Sequence, residues 1–170
     1  MKQFSIATTI ALLLLALALP AVAQKPTITE IPFTTPIVIS GGPANGACTF
    51  DVLVAPQAGR PNGERLIQFA TSSITAGPLF LTLTNQSTGK TVNLNASGPA
   101  VITFSGGIPS SERIMGSSLV FELPPNLASE AGLPAVALTR GQVIFTFDAQ
   151  GNLSAVTFNG TVKDVCQMLE

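Results

Sequence analysis

Histidine, tryptophan and tyrosine do not occur in the 170 residues, and charge is scarce, with 8 Lys and Arg against 9 Asp and Glu. Each absence closes off a chemistry. Without imidazole the chain by itself supports neither Ser-His-Asp nor Cys-His catalysis, nor a histidine-ligated zinc. With a formal net charge of -1 and cations that fall singly, it offers no basic patch to neutralise a phosphate backbone. Nucleic acid is therefore not an expected partner. No acidic tail or basic amphipathic helix marks a membrane surface. The want of Trp and Tyr counts against sugar binding, which favours aromatic platforms with a polar edge. Gly41 and Gly46 have the spacing of a phosphate loop, but Ala47 stands where its lysine is required, so a flexible loop is expected there. No metal, cofactor or catalytic residue is assigned.

What is present begins with an export signal. Lys2 precedes an apolar run over residues 6–19, interrupted by Thr8 and Thr9; Pro20 breaks it, and Ala21 and Ala23 supply the small residues that a signal peptidase reads. Cleavage is expected between Ala23 and Gln24. A membrane helix needs roughly 20 apolar residues, so the run is short for an uncleaved anchor. The expectation is a secreted, extracellular protein with no stable membrane insertion after cleavage. It divides into a signal peptide at 1–23, an extended or flexible arm at 24–46, and a single β-domain at 47–170.

In an exported chain two cysteines are by default a disulfide, here Cys48 with Cys166. The alternative is a pair of free reactive thiols, with Lys163 the one cation near enough to favour a thiolate.

Period-two alternation dominates the domain. Leu79, Leu81 and Leu83 alternate with Phe80, Thr82 and Thr84; Val92, Leu94 and Ala96 alternate with Thr91, Asn93 and Asn95; residues 85–89 between them have turn composition. These segments form a hairpin. A second hairpin runs from Val143, Phe145 and Phe147 through a turn at 148–152 into a strand at 153–159. Asn159-Gly160 is the strongest short hairpin signal and predicts a further reversal into a strand at 161–166. Four more strands are expected at 48–54, 65–70, 100–105 and 118–123. Residues 125–132 read as a crossover loop that has room for one helical turn. The fold expected is all-β, an antiparallel small barrel or sandwich of about 8–9 strands, with an N-terminal signal helix and extended arm.

Phenylalanine supplies all 10 aromatics. Phe50, Phe69, Phe104, Phe121, Phe145, Phe147 and Phe158 fall within expected strands, where they either fill the core or line an apolar cavity. Carboxylate pairs are the enzymatic route left open, since glycoside hydrolysis needs only two acids across a cleft. Asp51, Glu64, Glu112, Glu122, Asp148 and Asp164 are the acids of the strand region, and no spacing among them is diagnostic. Asp148 reads as a turn residue and Glu122 as a solvent-facing one. Asn85-Gln86-Ser87, Asn95-Ala96-Ser97, Asn152-Leu153-Ser154 and Asn159-Gly160-Thr161 are candidate N-glycosylation sites, expected to be exposed at or beside turns. They read equally as turn asparagines with hydroxyl neighbours.

The succession of Cys48-Thr49-Phe50-Asp51-Val52, residues 85–94, Arg140-Gly141-Gln142-Val143, Phe147 to Asn152, Gly160 and Asp164-Val165-Cys166 resembles secreted β-proteins of bacteria and fungi that bracket their domain with two cysteines. The resemblance implies no activity. The leading expectation is a non-enzymatic extracellular β-domain that binds a small apolar ligand or a cell-wall or other extracellular surface. Two alternatives compete with it: a histidine-free barrel enzyme, cyclase- or isomerase-like, acting on a lipid-like substrate, and a structural, adhesive wall-associated protein. A hollow interior, and what lines it, separates the three.

Overall fold

The computed structural model describes residues 25–42 and 47–170; the expected signal segment with its cleavage site at Ala23 and Gln24, and residues 43–46 of the arm, lie outside the described residues. The strands are β1 (Thr27–Ile31), β2 (Ile37–Ile39), β3 (Val52–Pro56), β4 (Glu64–Gln68), β5 (Ser72–Ala76), β6 (Phe80–Asn85), β7 (Thr91–Asn95), β8 (Ala100–Ser105), β9 (Ile108–Phe121), β10 (Val136–Phe147) and β11 (Leu153–Asp164). Two helices, α1 (Pro125–Glu130) and α2 (Val165–Leu169), complete the described chain.

All pairings are antiparallel and make two sheets, one ordered β1-β4-β5-β8-β9-β10-β11 and the other β2-β3-β6-β7. The architecture is not a closed barrel, because β1 and β11 are opposite edges of the larger sheet. The described residues hold 11 strands rather than eight or nine. The arm supplies two of the additional ones: β1 adds an edge to the larger sheet beside β4, and β2 adds an edge to the smaller beside β3. In passing from β1 to β2 the chain changes sheets, and it does so again between β3 and β4, β5 and β6, and β7 and β8.

The sheets bury alternate residues against one another. Val52 and Val54 of β3, Leu81 and Leu83 of β6, and Leu94 of β7 meet Val136 and Leu138 of β10 in one cluster. Val52 and Leu83 are fully buried, each contributing about 1.5 to 3 kcal/mol relative to exposure. A second cluster lies on another face, where Val120, Val143, Phe145 and Val156 pack against Leu127 and Ala128 of α1. Phenylalanine is not the main filling. The largest side chains with essentially no exposure are aliphatic, together with Asn85 and Thr139; of the seven phenylalanines that the sequence places in strands only Phe145 is buried, and Phe69 is 44% exposed.

Residues 125–132 read from the sequence as a crossover loop with room for one helical turn; in the structure Pro125 begins a six-residue helix whose Leu127 and Ala128 are buried. Proline suits the first helical turn, where its missing N–H would have no intrahelical acceptor. Asn159-Gly160 is not a hairpin. The strand continues through it, Asn159 pairing with Gln142 and Gly160 with Gly141, up to Asp164 opposite Ala137. A type I′ turn needs positive φ at both central residues, and Asn159 does not have it. Gly160 instead belongs to a row, since Gly116, Gly141 and Gly160 lie side by side on β9, β10 and β11 with φ of 82°, 144° and 154°. Positive φ thus recurs at one level across three adjacent strands. Residues 161–166 are therefore the end of β11 and the start of α2. Asp164 caps that helix, its Oδ1 accepting from the N–H groups of Cys166 and Gln167 at 2.8 and 3.3 Å.

Candidate functional site

Cys48 and Cys166 are joined, with Cα atoms 5.4 Å apart and a separation of 118 positions in sequence. The bond ties the segment before β3 to α2 rather than strand to strand. Val165 and Leu169 of that helix are completely buried, and the Leu169 carbonyl accepts a 3.2 Å hydrogen bond from Asn85 Nδ2. That contact corrects one expectation. Asn85 is 2% exposed, and its Oδ1 accepts from the N–H groups of Ser87 and Thr88, so the amide nitrogen that a glycan would need is spent inside the fold. Asn95, Asn152 and Asn159 are exposed. Asn95 accepts from Ser97, and the Asn152 side chain donates to the Asp148 carboxylate.

The acids separate by environment. Asp51 accepts from the Gly41 N–H at 2.7 Å, Asp164 caps α2, and Glu122 is exposed with an unusual φ of 58° at the end of β9. Asp148 organises its turn. The Asn152 N–H and side-chain amide, with the N–H groups of Gln150 and Gly151, hold its carboxyl below the usual range. Glu64 and Glu112 differ, because burial pushes both carboxyls above the ordinary 4.5. Both line one cavity.

That cavity lies between the sheets and has a volume of about 390 Å³. The smaller sheet and its connections contribute Val54, Leu79, Leu81 and Ala96; the arm contributes Ile31, Pro32, Phe33 and Ile37; the larger sheet contributes Ala100, Ile114, Leu119 and Phe121. Polar groups are few: Glu64, Thr75, Glu112 and Ser118. From β9 the cavity draws Glu112 and Ile114 on one side of Gly116 and Leu119 and Phe121 on the other. A smaller neighbouring cavity of about 300 Å³ shares these four residues and adds Phe145, Phe147 and Leu153.

Comparison with known proteins finds no matching family model, no matching curated protein and no matching solved structure. The site therefore has to be read from its own chemistry. Sequence order gives no hint that Glu64 and Glu112 share a cavity, because strand register brings them there. Glu112 sits opposite Ile102 of β8 and Phe145 of β10, and Glu64 opposite Ile31 of β1. For Glu112 the signal is an acid flanked across both ladders by large apolar residues, and it is visible only once the pairing is known. Neither carboxylate forms an ion pair or a side-chain hydrogen bond among the described residues; the one ion pair there is Arg65 with Glu30, at the surface. Among the described residues no three potential metal ligands gather.

The raised carboxyls make a stability prediction. A folded state that holds a proton to higher pH than the unfolded chain loses stability as pH rises from the ordinary value through the raised one. Glu112 is half-buried, opposite Ile102 and Phe145, with Glu64 the other titratable group of the cavity. Replacing it by glutamine removes this loss. Glu112→Gln is expected to melt higher than the parent at neutral pH, by on the order of a degree or two because solvent screens a half-buried charge. The difference should vanish below about 4.5, where the parent carboxyl is protonated in both states. Melting curves across that range would contradict the assignment if the two proteins ran parallel.

Proposed function

We propose that this is an exported β-protein whose role is to bind a small apolar molecule between its two sheets, without catalysis. The observation that carries the reading is the inter-sheet cavity of about 390 Å³, lined by aliphatic side chains from both sheets and from the arm. That size falls within the range of small-molecule sites, as does a mostly apolar lining with a few convergent polar groups. Export rests on the N-terminal segment and is supported by the Cys48–Cys166 bond, which belongs to an oxidising compartment. Among the described residues no helix is long and apolar enough to cross a membrane.

Fluorescence titration with Nile red, a neutral apolar probe, tests the reading. Saturable binding is expected, with a dissociation constant on the order of micromolar. Ala100→Phe, at a half-buried position on the cavity wall, should fill the space and weaken binding by about tenfold or more while leaving the circular dichroism spectrum intact. A folded Ala100→Phe protein that binds as the parent does would sink the proposal.

A second reading is favoured by the two carboxyls. A pair of acids, both held above the usual range in one apolar cavity, has the composition of a general acid and base without histidine, as an isomerase- or cyclase-like enzyme acting on a lipid-like substrate would need.

A further inference from the structure

We infer that the cavity selects apolar molecules carrying a cationic head group, amines rather than fatty acids, because Glu64 and Glu112 are its charged lining and neither Lys nor Arg contributes to it. The inference rests on the binding role proposed above and assigns the chemical class of the ligand. Charge complementarity decides the class. Each carboxylate is half-buried and has no partner among the described residues, so it is partly stripped of water, and a bound ammonium supplies both the opposite charge and a donor. Charge-assisted hydrogen bonds of this kind are roughly twice as strong as neutral ones. A ligand carboxylate would instead meet two like charges and no donor stronger than the hydroxyls of Thr75 and Ser118.

The energetic direction is the same when viewed from the protein. Burial without a partner raises both carboxyls above 4.5, and an ammonium beside them would draw them back down. Amine binding should therefore release protons over the pH range just above the ordinary carboxylate value, whereas binding of an alcohol should not. Cations elsewhere do not substitute for the ligand. Arg65 and Arg113, the sequence neighbours of the two acids, are both exposed, and Arg65 is engaged with Glu30 at 2.9 Å.

The test displaces Nile red from the full chain with decylamine, decanol and decanoate at neutral pH, each below its micelle concentration. Decanol measures the apolar cavity alone. Decylamine is expected to bind at least about tenfold more tightly than decanol, and decanoate more weakly than either. In Glu64→Gln/Glu112→Gln the amine should fall to the level of the alcohol while decanol binding is retained, which also shows that the variant has folded with its cavity. If decanol displaces the probe but decylamine does so no better, or if the preference survives in the double variant, the head-group assignment is wrong and the cavity reading stands. If none of the three displaces the probe, the cavity reading itself fails and the head-group assignment with it.

Discussion

Replacing Cys48 and Cys166 together by alanine is expected to lower the unfolding free energy by about 4 to 5 kcal/mol, the chain-entropy value for a loop of this length. The loop contains nearly the whole described domain, since the two residues are 118 apart. Typical domains are stable by about 5 to 15 kcal/mol, so the loss removes roughly a quarter or more of that. The structure concentrates the effect at one end. Without the bond α2 is anchored by Val165, Leu169, the Asp164 cap and the Asn85 contact. A helix of five residues has no stability of its own. Urea titration should show the midpoint falling by about 2 M. A decrease under about 0.5 M would mean that the tie adds little to packing already sufficient to hold the terminus.

Gly141→Ala is the second large effect. At φ 144° the residue occupies a region that side chains rarely adopt, and a Cβ there would lie 2.7 Å from the Gly160 Cα and closer still to the Asn159 carbonyl oxygen. Both neighbours are backbone of the paired strand, so neither can swing away. Backbone strain of about 1 to 3 kcal/mol adds to the cost of separating β10 from β11, for a total of about 3 kcal/mol or more. Gly160→Ala should cost about the same. The pair should fall short of additive, because either substitution alone already forces the two strands apart. The control is Gly106→Ala, with φ 59° and nothing within reach of a new Cβ, which should cost only about 1 to 2 kcal/mol. Chemical unfolding of the three single variants decides it. Equal losses at positions 141 and 106 would remove any special role for the glycine row.

How far the fold could be read from the chain depended on the range of the interaction behind each element. Strands β6, β7 and β8 were legible because alternation is local: Leu81 and Leu83 point inward between outward threonines. The first half of β9 was not, because Ser110, Ser111, Glu112 and Arg113 look like a loop when the apolar residues flanking them across the sheet are unseen. Asn159-Gly160 misled for the same reason. The dipeptide favours a turn in isolation, whereas in the sheet Gly160 answers Gly141 on the next strand. Helix α1 is only six residues long, too few for a helical period to show. The disulfide could be read from two cysteines in a chain whose N-terminal segment reads as an export signal. The cavity could not, since Glu64, Glu112 and the arm converge through register and sheet order, neither of which the sequence displays.

The repeated passage of the chain between sheets sets the gauge of the space between them. Connections 32–36, 57–63, 77–79 and 96–99 each leave one sheet and enter the other, and Pro32, Phe33, Leu79, Ala96 and Gly98 from three of them form part of the cavity wall. The shortest has three residues between Ala76 and Phe80, a covalent reach of at most about 14 Å. Such links act as spacers of fixed length. The sheets cannot part to admit a thicker guest by sliding side chains alone, and the width available to a ligand is written in the number of residues that each connection contains.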